Sequence, residues 1–376
     1  MHPGLFRVTI LLFVAALVYP QTDTGSSYQA DPGYIAGEHT EEEDVVRLPD
    51  VEVSAKKETT EYITQEQMER EGSEDLWEAL RHIPGVIRDG GGGMRNESNF
   101  TVRGFDEMLM PVFIDGVPMT MPYRGDGDHA RFLTGDLEGI EVQKGYSSML
   151  LGANTMGGAI IMRIARPKKP FEASFKTSFD IDNIGKIGGS THTLSLGTRQ
   201  ELFYGKATFQ YRDIDHYRLS EKFEPVPNAL QGTGERLFSD STDLKLTLLA
   251  GWTPWEALDI NLTYVYQDSN KGVSPPEITN KAPSFDVWPT WKRQSVSLNG
   301  AYIMNTYYVK ALAYFDKYDN TLSRYSSWEN LAKGNETHDR DYPSDYDDYG
   351  AGGRLEGGYN FNAWNSLEAA LTFKQE

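Results

Sequence analysis

The chain offers little that could do covalent chemistry. It has 376 residues and no cysteine, so disulfides, zinc–thiolate sites and cysteine nucleophiles are excluded. Its seven histidines are scattered, and none stands in an HExxH spacing. A hydrolase built on His192 or His216 is the weakest reading of the chain. Gly90 to Gly93 is glycine-rich, but no Lys-Ser/Thr follows, so it is not a phosphate loop. Asp339, Asp341, Asp345, Asp347 and Asp348 could supply hard oxygen ligands to Ca²⁺. They lack the spacing of a calcium loop and read better as a solvated external loop. No cofactor and no resident metal is expected, and the chain does not read as an enzyme.

Charge narrows the partners. With 55 acidic and 36 basic residues the formal net charge is −19, which argues against a nucleic-acid binder. Aromatics make up 12 % of the chain, with 21 Tyr, and Gly numbers 36. That composition suits many short strands.

The elements that must position any site fall into an ordered series. Val8 to Tyr19 is an almost wholly apolar run closed by Pro20, too short as a helix to span a bilayer. Residues 1–20 are therefore expected to be a secretory signal. Residues 21–47 form an acidic linker, with five acids between Glu38 and Asp44, that cannot bury enough apolar surface to fold. A mixed α/β unit is expected over 56–166. Thr64 and Gln67 have capping-box spacing, and Ser73 is placed to cap a second helix. Leu76, Ala79, Leu80 and Ile83 make one apolar helix face, ended by Pro84-Gly85. Short strands are expected at 100–103, 111–114, 139–143 and 159–164.

From Phe171 the pattern changes to period two. Nine strands are expected, at 171–182, 190–199, 202–213, 241–252, 257–268, 293–304, 307–318, 348–360 and 365–374. One face of each is apolar and ends in aromatics, while the other carries charges and amides. Strands of this length suit a tilted membrane strand. Tight turns near Gln200, Pro254, Asn305 and Ala363 alternate with long polar loops at 213–240, 268–292 and 319–347, the habit of outer-membrane barrels. The fold class expected from the pattern is thus an α+β domain followed by antiparallel transmembrane β-barrel strands, in contact with outer-membrane lipid.

Four ordered blocks carry a family resemblance. They are Leu76-Trp77-Glu78-Ala79-Leu80 through Pro84-Gly85-Val86; Val102-Arg103-Gly104-Phe105 with Val112 to Pro118; Ile140 to Gly145; and Gly152 to Ile160. Together they resemble the plug of TonB-dependent outer-membrane receptors. The resemblance makes the α+β domain a plug domain and the strands after it part of a barrel. Lys144-Gly145-Tyr146 departs from the family's Arg-Gly-Pro, and Lys cannot make a bidentate carboxylate contact.

The resemblance implies import of a scarce nutrient, a ferric siderophore first and cobalamin second, energised by a TonB-type periplasmic protein. Leu48, Pro49, Asp50, Val51, Glu52 and Val53, within 48–55, resemble the TonB box, with Asp44-Val45-Val46 as a rival. Strand addition to a partner's sheet edge would suit such a segment. Two outer plug loops would meet the cargo, offering Met94, Arg95, Asn96 and Asn99 from one and Met121, Tyr123, Arg124 and Asp126 from the other. Arg103, with Lys144 near it, would pair with carboxylates of the barrel wall. The linker is too short for an added signalling domain.

Family barrels have about 22 strands, so residues 171–376 read as an incomplete barrel. The chain is expected to be a receptor fragment, a truncated product or one piece of a split frame. On its own it is expected to give a soluble or aggregated species with a protected core near 60–165. A non-transporting surface adhesin or scaffold is the alternative function.

Overall fold

The computed structural model describes residues 11–18, 60–88, 97–119, 127–145, 151–227 except 153, 231–274, 285–325, 327, 330, 343–362 and 365–375. The first strand, β1 (Leu11–Val18), lies antiparallel against the last strand of the large sheet, with Leu11 opposite Thr372 and Val18 opposite Asn365. The apolar run expected to be a secretory signal is thus extended along a sheet edge.

The plug starts at β2 (Thr60–Thr64) and passes straight into α1 (Gln65–Glu71). The capping box is complete: the Gln67 N–H donates to Thr64 Oγ1 at 3.1 Å, and the Thr64 N–H donates to Gln67 Oε1 at 2.8 Å. Gly72 takes the left-handed conformation that closes the helix. The second helix, α2 (Leu76–Leu80), is capped by Asp75 rather than by Ser73. Ser73 is not free to cap, because its N–H still donates to Met68 O in the end of α1 and its carbonyl accepts from Thr134 Oγ1. Leu76, Ala79, Leu80 and Ile83 are buried, as their spacing predicts.

Short strands follow: β3 (Val86–Arg88), β4 (Phe100–Val102), β5 (Phe105–Asp106), β6 (Val112–Ile114), β7 (Val117–Pro118), β8 (Leu137–Lys144) and β9 (Gly158–Ile164). They form a three-stranded sheet β3-β4-β5 and a five-stranded sheet β2-β8-β9-β6-β7. Among the described residues only the β6–β9 pairing is parallel. Gly158 sits at φ 123°, where an added Cβ would lie 1.8 Å from Gln143 O, so no side chain fits there. Helix faces and sheet bury one apolar core that includes Leu76, Leu80, Phe100, Leu137 and Ile140.

The wall is one antiparallel meander: β10 (Glu172–Ile181), β11 (Ile187–Arg199), β12 (Phe203–Ile214), β13 (Ser241–Trp255), β14 (Leu258–Gly272), β15 (Phe285–Ile303), β16 (Tyr307–Tyr325), β17 (Ser344–Asn362) and β18 (Asn365–Gln375). These are the nine expected strands, but β14 to β17 run further on the loop side. Loops expected at 268–292 and 319–347 shrink to 273–284 and 326–343. Cross-strand pairs sustain the longer ladder: Arg324 makes a two-fold contact with Asp286 at 2.9 and 3.1 Å, and Thr321 donates to Asp345 at 2.9 Å. Asp345, Asp347 and Asp348, read from sequence as loop acids, therefore lie on β17, and Asp347 pairs with Lys317 at 3.2 Å. Asp339 and Asp341 lie outside the described residues.

The two faces of this sheet are inverted relative to a soluble protein. Phe175, Phe209, Leu248, Leu262, Leu298, Phe315 and Leu355 point outward and are exposed. Thr193, Gln210, Arg212, Asp243, Lys245, Gln267 and Arg293 point inward and are buried. Trp252, Trp255, Tyr307, Tyr359 and Phe361 edge the outer face on the tight-turn side. Beyond the apolar band on the loop side, outward positions turn polar, with Lys292 paired to Asp268 at 3.6 Å. An apolar exterior with an aromatic girdle is the surface of a membrane barrel, and the nine strands make part of one.

Candidate functional site: the seat of the plug against the barrel wall

Two plug segments meet at the outer end of the core. Asp128 caps a single 3-10 turn, His129–Arg131, and also accepts from the Ser98 N–H at 3.0 Å. The His129 N–H donates to Ser98 O, and His129 Nδ1 lies 3.0 Å from the same oxygen. Phe100 and Phe132 pack on the imidazole. Burial holds His129 down at about 4, so it is neutral near pH 7. Burial opposes ionisation of Asp128, but Lys271 and Arg131 hold its carboxyl well below the ordinary range. This knot ties the stem 97–99 to the stem 127–129.

The expected cargo-facing loops rise from those two stems. Met94, Arg95 and Asn96, and Met121, Tyr123, Arg124 and Asp126, lie outside the described residues. So do Leu48 to Val53 of the box. Asn99 alone of the cargo candidates is described, and its Oδ1 is buried with no hydrogen-bond partner among the described residues.

Arg103 and Lys144 do come together, though inside the plug. Lys144 is buried and its Nζ reaches Glu61 Oε1 at 2.6 Å and Pro84 O at 3.2 Å. Arg103 is exposed, and its Nη1 donates to Lys144 O at 3.3 Å. The carboxylate that Lys144 takes therefore comes from the plug's own first strand, not from the wall.

The plug–wall contact rests on other residues, which spacing in the plug alone could not single out. Arg212 on β12 donates to Asp75 at 2.5 Å and to Glu78 at 3.0 Å. Ser178 and Lys176 on β10 hold Glu74 at 2.6 and 3.0 Å. Lys245 on β13 donates to Asp136 at 2.7 Å and to Leu133 O at 2.8 Å, while Thr247 donates to the other Asp136 oxygen at 2.6 Å. Arg131 reaches back to both oxygens of Asp243 at 2.8 Å. Lys271 on β14 pairs with Asp128, and Gln267 donates to Arg131 O. At the tight-turn end Arg166 pairs with Asp259 at 2.9 Å. An apolar patch joins the two units as well: Tyr204, Leu249, Val265, Trp291 and Tyr318 of the wall are buried in one cluster with the plug core, Phe132 set edge-on to Trp291 at 6.2 Å.

The signal that could have found them lies in the wall strands. Asp243 and Lys245, or Gln267 and Lys271, recur two or four residues apart on the non-apolar face of one strand. In a barrel filled by a second unit, that face must be answered by opposite charge.

Chemically, the seat is specific and separable. Buried ion pairs roughly cancel their own desolvation, so they fix register more than they add stability. When the plug shifts, water can take over each polar partner, whereas an apolar seal would resist hydration.

Comparison with known proteins agrees with this arrangement. Residues 52–159 match the TonB-dependent Receptor Plug Domain model. The Ferrioxamine B receptor of Salmonella typhimurium is 31 % identical over 123 residues, 32 % of this chain and 16 % of that protein. The Ferrioxamine receptor of Yersinia enterocolitica is 30 % identical over 125 residues, 32 % and 17 % of the two chains. Among solved structures, the copper transporter OprC superposes with a TM-score of 0.64 at 17 % identity, covering 84 % of this chain and 45 % of that one. The siderophore receptor PirA from Acinetobacter baumannii gives 0.64 at 15 % identity, covering 84 % and 48 %. The chain thus spans about half the length of these solved structures, and their likeness shows the fold alone. Plug motifs, plug model and a wall that is apolar outside and charged inside agree: residues 52–159 match a TonB-dependent receptor plug domain, and the chain shares the fold of the plug and adjoining wall of the solved structures.

Proposed function

We propose that this chain is the plug and adjoining wall of an outer-membrane importer for a ferric siderophore, energised by a TonB-type periplasmic protein. The observation that carries the reading is the seat itself: a folded plug held to the wall by hydratable ion pairs, as a gate that must move requires. The two ferrioxamine receptors among the relatives favour siderophore–iron over cobalamin as cargo. The copper transporter among the structural neighbours warns that fold does not choose the cargo. Residues 1–20 act as the export signal, 48–55 as the segment gripped by the energising partner, and the loops above the Asp128–His129 knot as the cargo contact. Arg95 and Arg124 supply charge-assisted donors to an anionic group of the chelate, and Tyr123 an aromatic face.

The test is uptake of radioiron-loaded ferrioxamine B by iron-starved cells expressing a full-length receptor that includes this chain, with labelled cobalamin in parallel. Deleting Pro49 to Ala55 should abolish uptake and leave surface binding intact. Uptake that survives the deletion removes the box assignment. Surface retention of host-cell ligands with no uptake of either cargo would favour the adhesin or scaffold reading, which the loops at 215–240 and 273–284 could serve.

A further inference from the structure

The outward face of the wall is not uniformly convex. On β11 to β14, near the tight-turn end, lies a groove of about 610 Å³ with an almost wholly apolar lining. Its floor is three small residues, Gly205, Ala207 and Ala250, on the neighbouring strands β12 and β13, where Gly205 faces Ala250 and Ala207 faces Leu248 in register. Leu196, Leu262 and Phe171 stand around it. The floor has open space: a Cβ added at Gly205 would find its nearest neighbour, Leu249 O, at 3.5 Å.

The foot of the groove is basic, on a chain whose net charge is −19. The connection from plug to wall runs along the end of β11: the Arg199 N–H donates to Lys169 O, and Thr198 Oγ1 donates to Pro170 O at 2.8 Å. This run carries Lys168 and Lys169, both exposed, immediately before Phe171. The nearby Glu172 carboxylate is turned onto the Lys168 N–H at 3.1 Å. Trp252 and Phe203, paired across β12 and β13, mark the girdle at the same end.

We infer that this groove is a binding site for an anionic phospholipid of the periplasmic leaflet, with one acyl chain on the Gly205–Ala207–Ala250 floor and the phosphate at Lys168 and Lys169. The floor spans two strands about 5 Å apart, wide enough for a chain of methylenes and too narrow for a helix of about 10 Å. The groove continues the apolar exterior, so an occupant whose tail dissolves in the membrane fits it. The paired lysines add a reason for that occupant to be anionic. The inference rests on the barrel lying in a membrane and on nothing about the cargo, so a failed uptake assay leaves it standing.

A full-length receptor that includes this chain, extracted from outer membranes and placed in nanodiscs of equal phosphatidylglycerol and phosphatidylethanolamine, is analysed by native mass spectrometry for lipid retained after transfer to detergent. One phosphatidylglycerol per chain is expected. Lys168→Gln with Lys169→Gln should weaken its retention about thirtyfold and leave phosphatidylethanolamine unchanged. Ala207→Phe, which fills the floor from the outer face, should expel both lipids. The strands of each variant are checked by circular dichroism, so a misfolded protein is recognised. Equal retention by wild type and the double lysine variant would overturn the inference. So would loss of both lipids alike from that variant, or an Ala207→Phe effect confined to dissociating a dimer of this chain.

Discussion

The plug and the wall solve opposite solvent problems within one chain. In the plug, Leu76, Leu80, Phe100 and Ile140 turn inward and are fully buried. In the wall, Phe175, Leu248, Leu298 and Leu355 turn outward and are exposed, while Asp243, Lys245 and Arg293 are enclosed. Each unit obeys the hydrophobic effect, but the wall's apolar partner is lipid and its polar partner is the plug. Asp243 and Lys245 are answered by plug groups, while Arg293 pairs with Asp316 within the wall at 2.8 Å. The comparison teaches that burial alone does not identify a core: Lys245 is as enclosed as Leu80 and is there for a different reason.

A charge placed in the plug core should have the largest effect. Leu80→Asp puts an unpaired carboxylate among apolar side chains, and the plug should lose more than about 4 kcal/mol and its protection from protease. An intact protected fragment over 60–165 would show the core to be looser than drawn. Next comes the seat. Arg212→Ala leaves Asp75 and Glu78 facing the wall without their partner, and the plug should loosen by about 3–5 kcal/mol. Hydrogen exchange in α2 should rise while exchange in the wall strands stays slow. Equal exchange in both would mean the seat adds nothing to plug stability.

The third effect depends on pH and sharpens the contrast between buried titratable groups and lipid-facing ones. His129 is held at about 4 when folded, against an ordinary 6.5 when unfolded. The unfolded plug binds the proton first, so stability is full above pH 6.5 and falls as pH drops towards 4, by about 3 kcal/mol. Urea melts of wild type and His129→Gln should differ in slope across that window. Parallel pH profiles would refute the assignment. On the lipid face, Leu248→Lys should cost the barrel about 2–4 kcal/mol of membrane stability and leave plug exchange unchanged. The smallest effect is at the first helix, where Thr64→Ala should cost about 1 kcal/mol in plug melts.

Legibility in the sequence followed the range of the interaction. The Thr64–Gln67 box and the Leu76–Ile83 face depend on neighbours three or four residues away, and both were visible. The wall strands were visible because period two persists for ten residues or more. Their outer ends were not, because β15 to β17 are prolonged by pairs such as Asp286–Arg324, 38 residues apart. The Ser73 cap failed for a similar reason: Thr134, far along the chain, holds its carbonyl. Most of the seat was invisible, since Asp75–Arg212 and Asp136–Lys245 join residues more than 100 apart. The Lys144–Glu61 pair was invisible too, since it joins residues 83 apart across the small plug sheet.

The extra length of β15, β16 and β17 sets where the barrel opens. Each has 19 residues, about 60 Å of strand. At the usual tilt of about 40° it rises about 45–50 Å, against an apolar band of about 25 Å. Some 20 Å of rigid wall therefore stands above the hydrocarbon as a turret, with Lys317–Asp347 and Lys292–Asp268 on its outer surface. A solute arriving from outside meets the rim before it meets the bilayer. The mouth keeps its aperture through hydrogen-bonded strands, and its height is independent of how the loops at 273–284 and 326–343 are arranged.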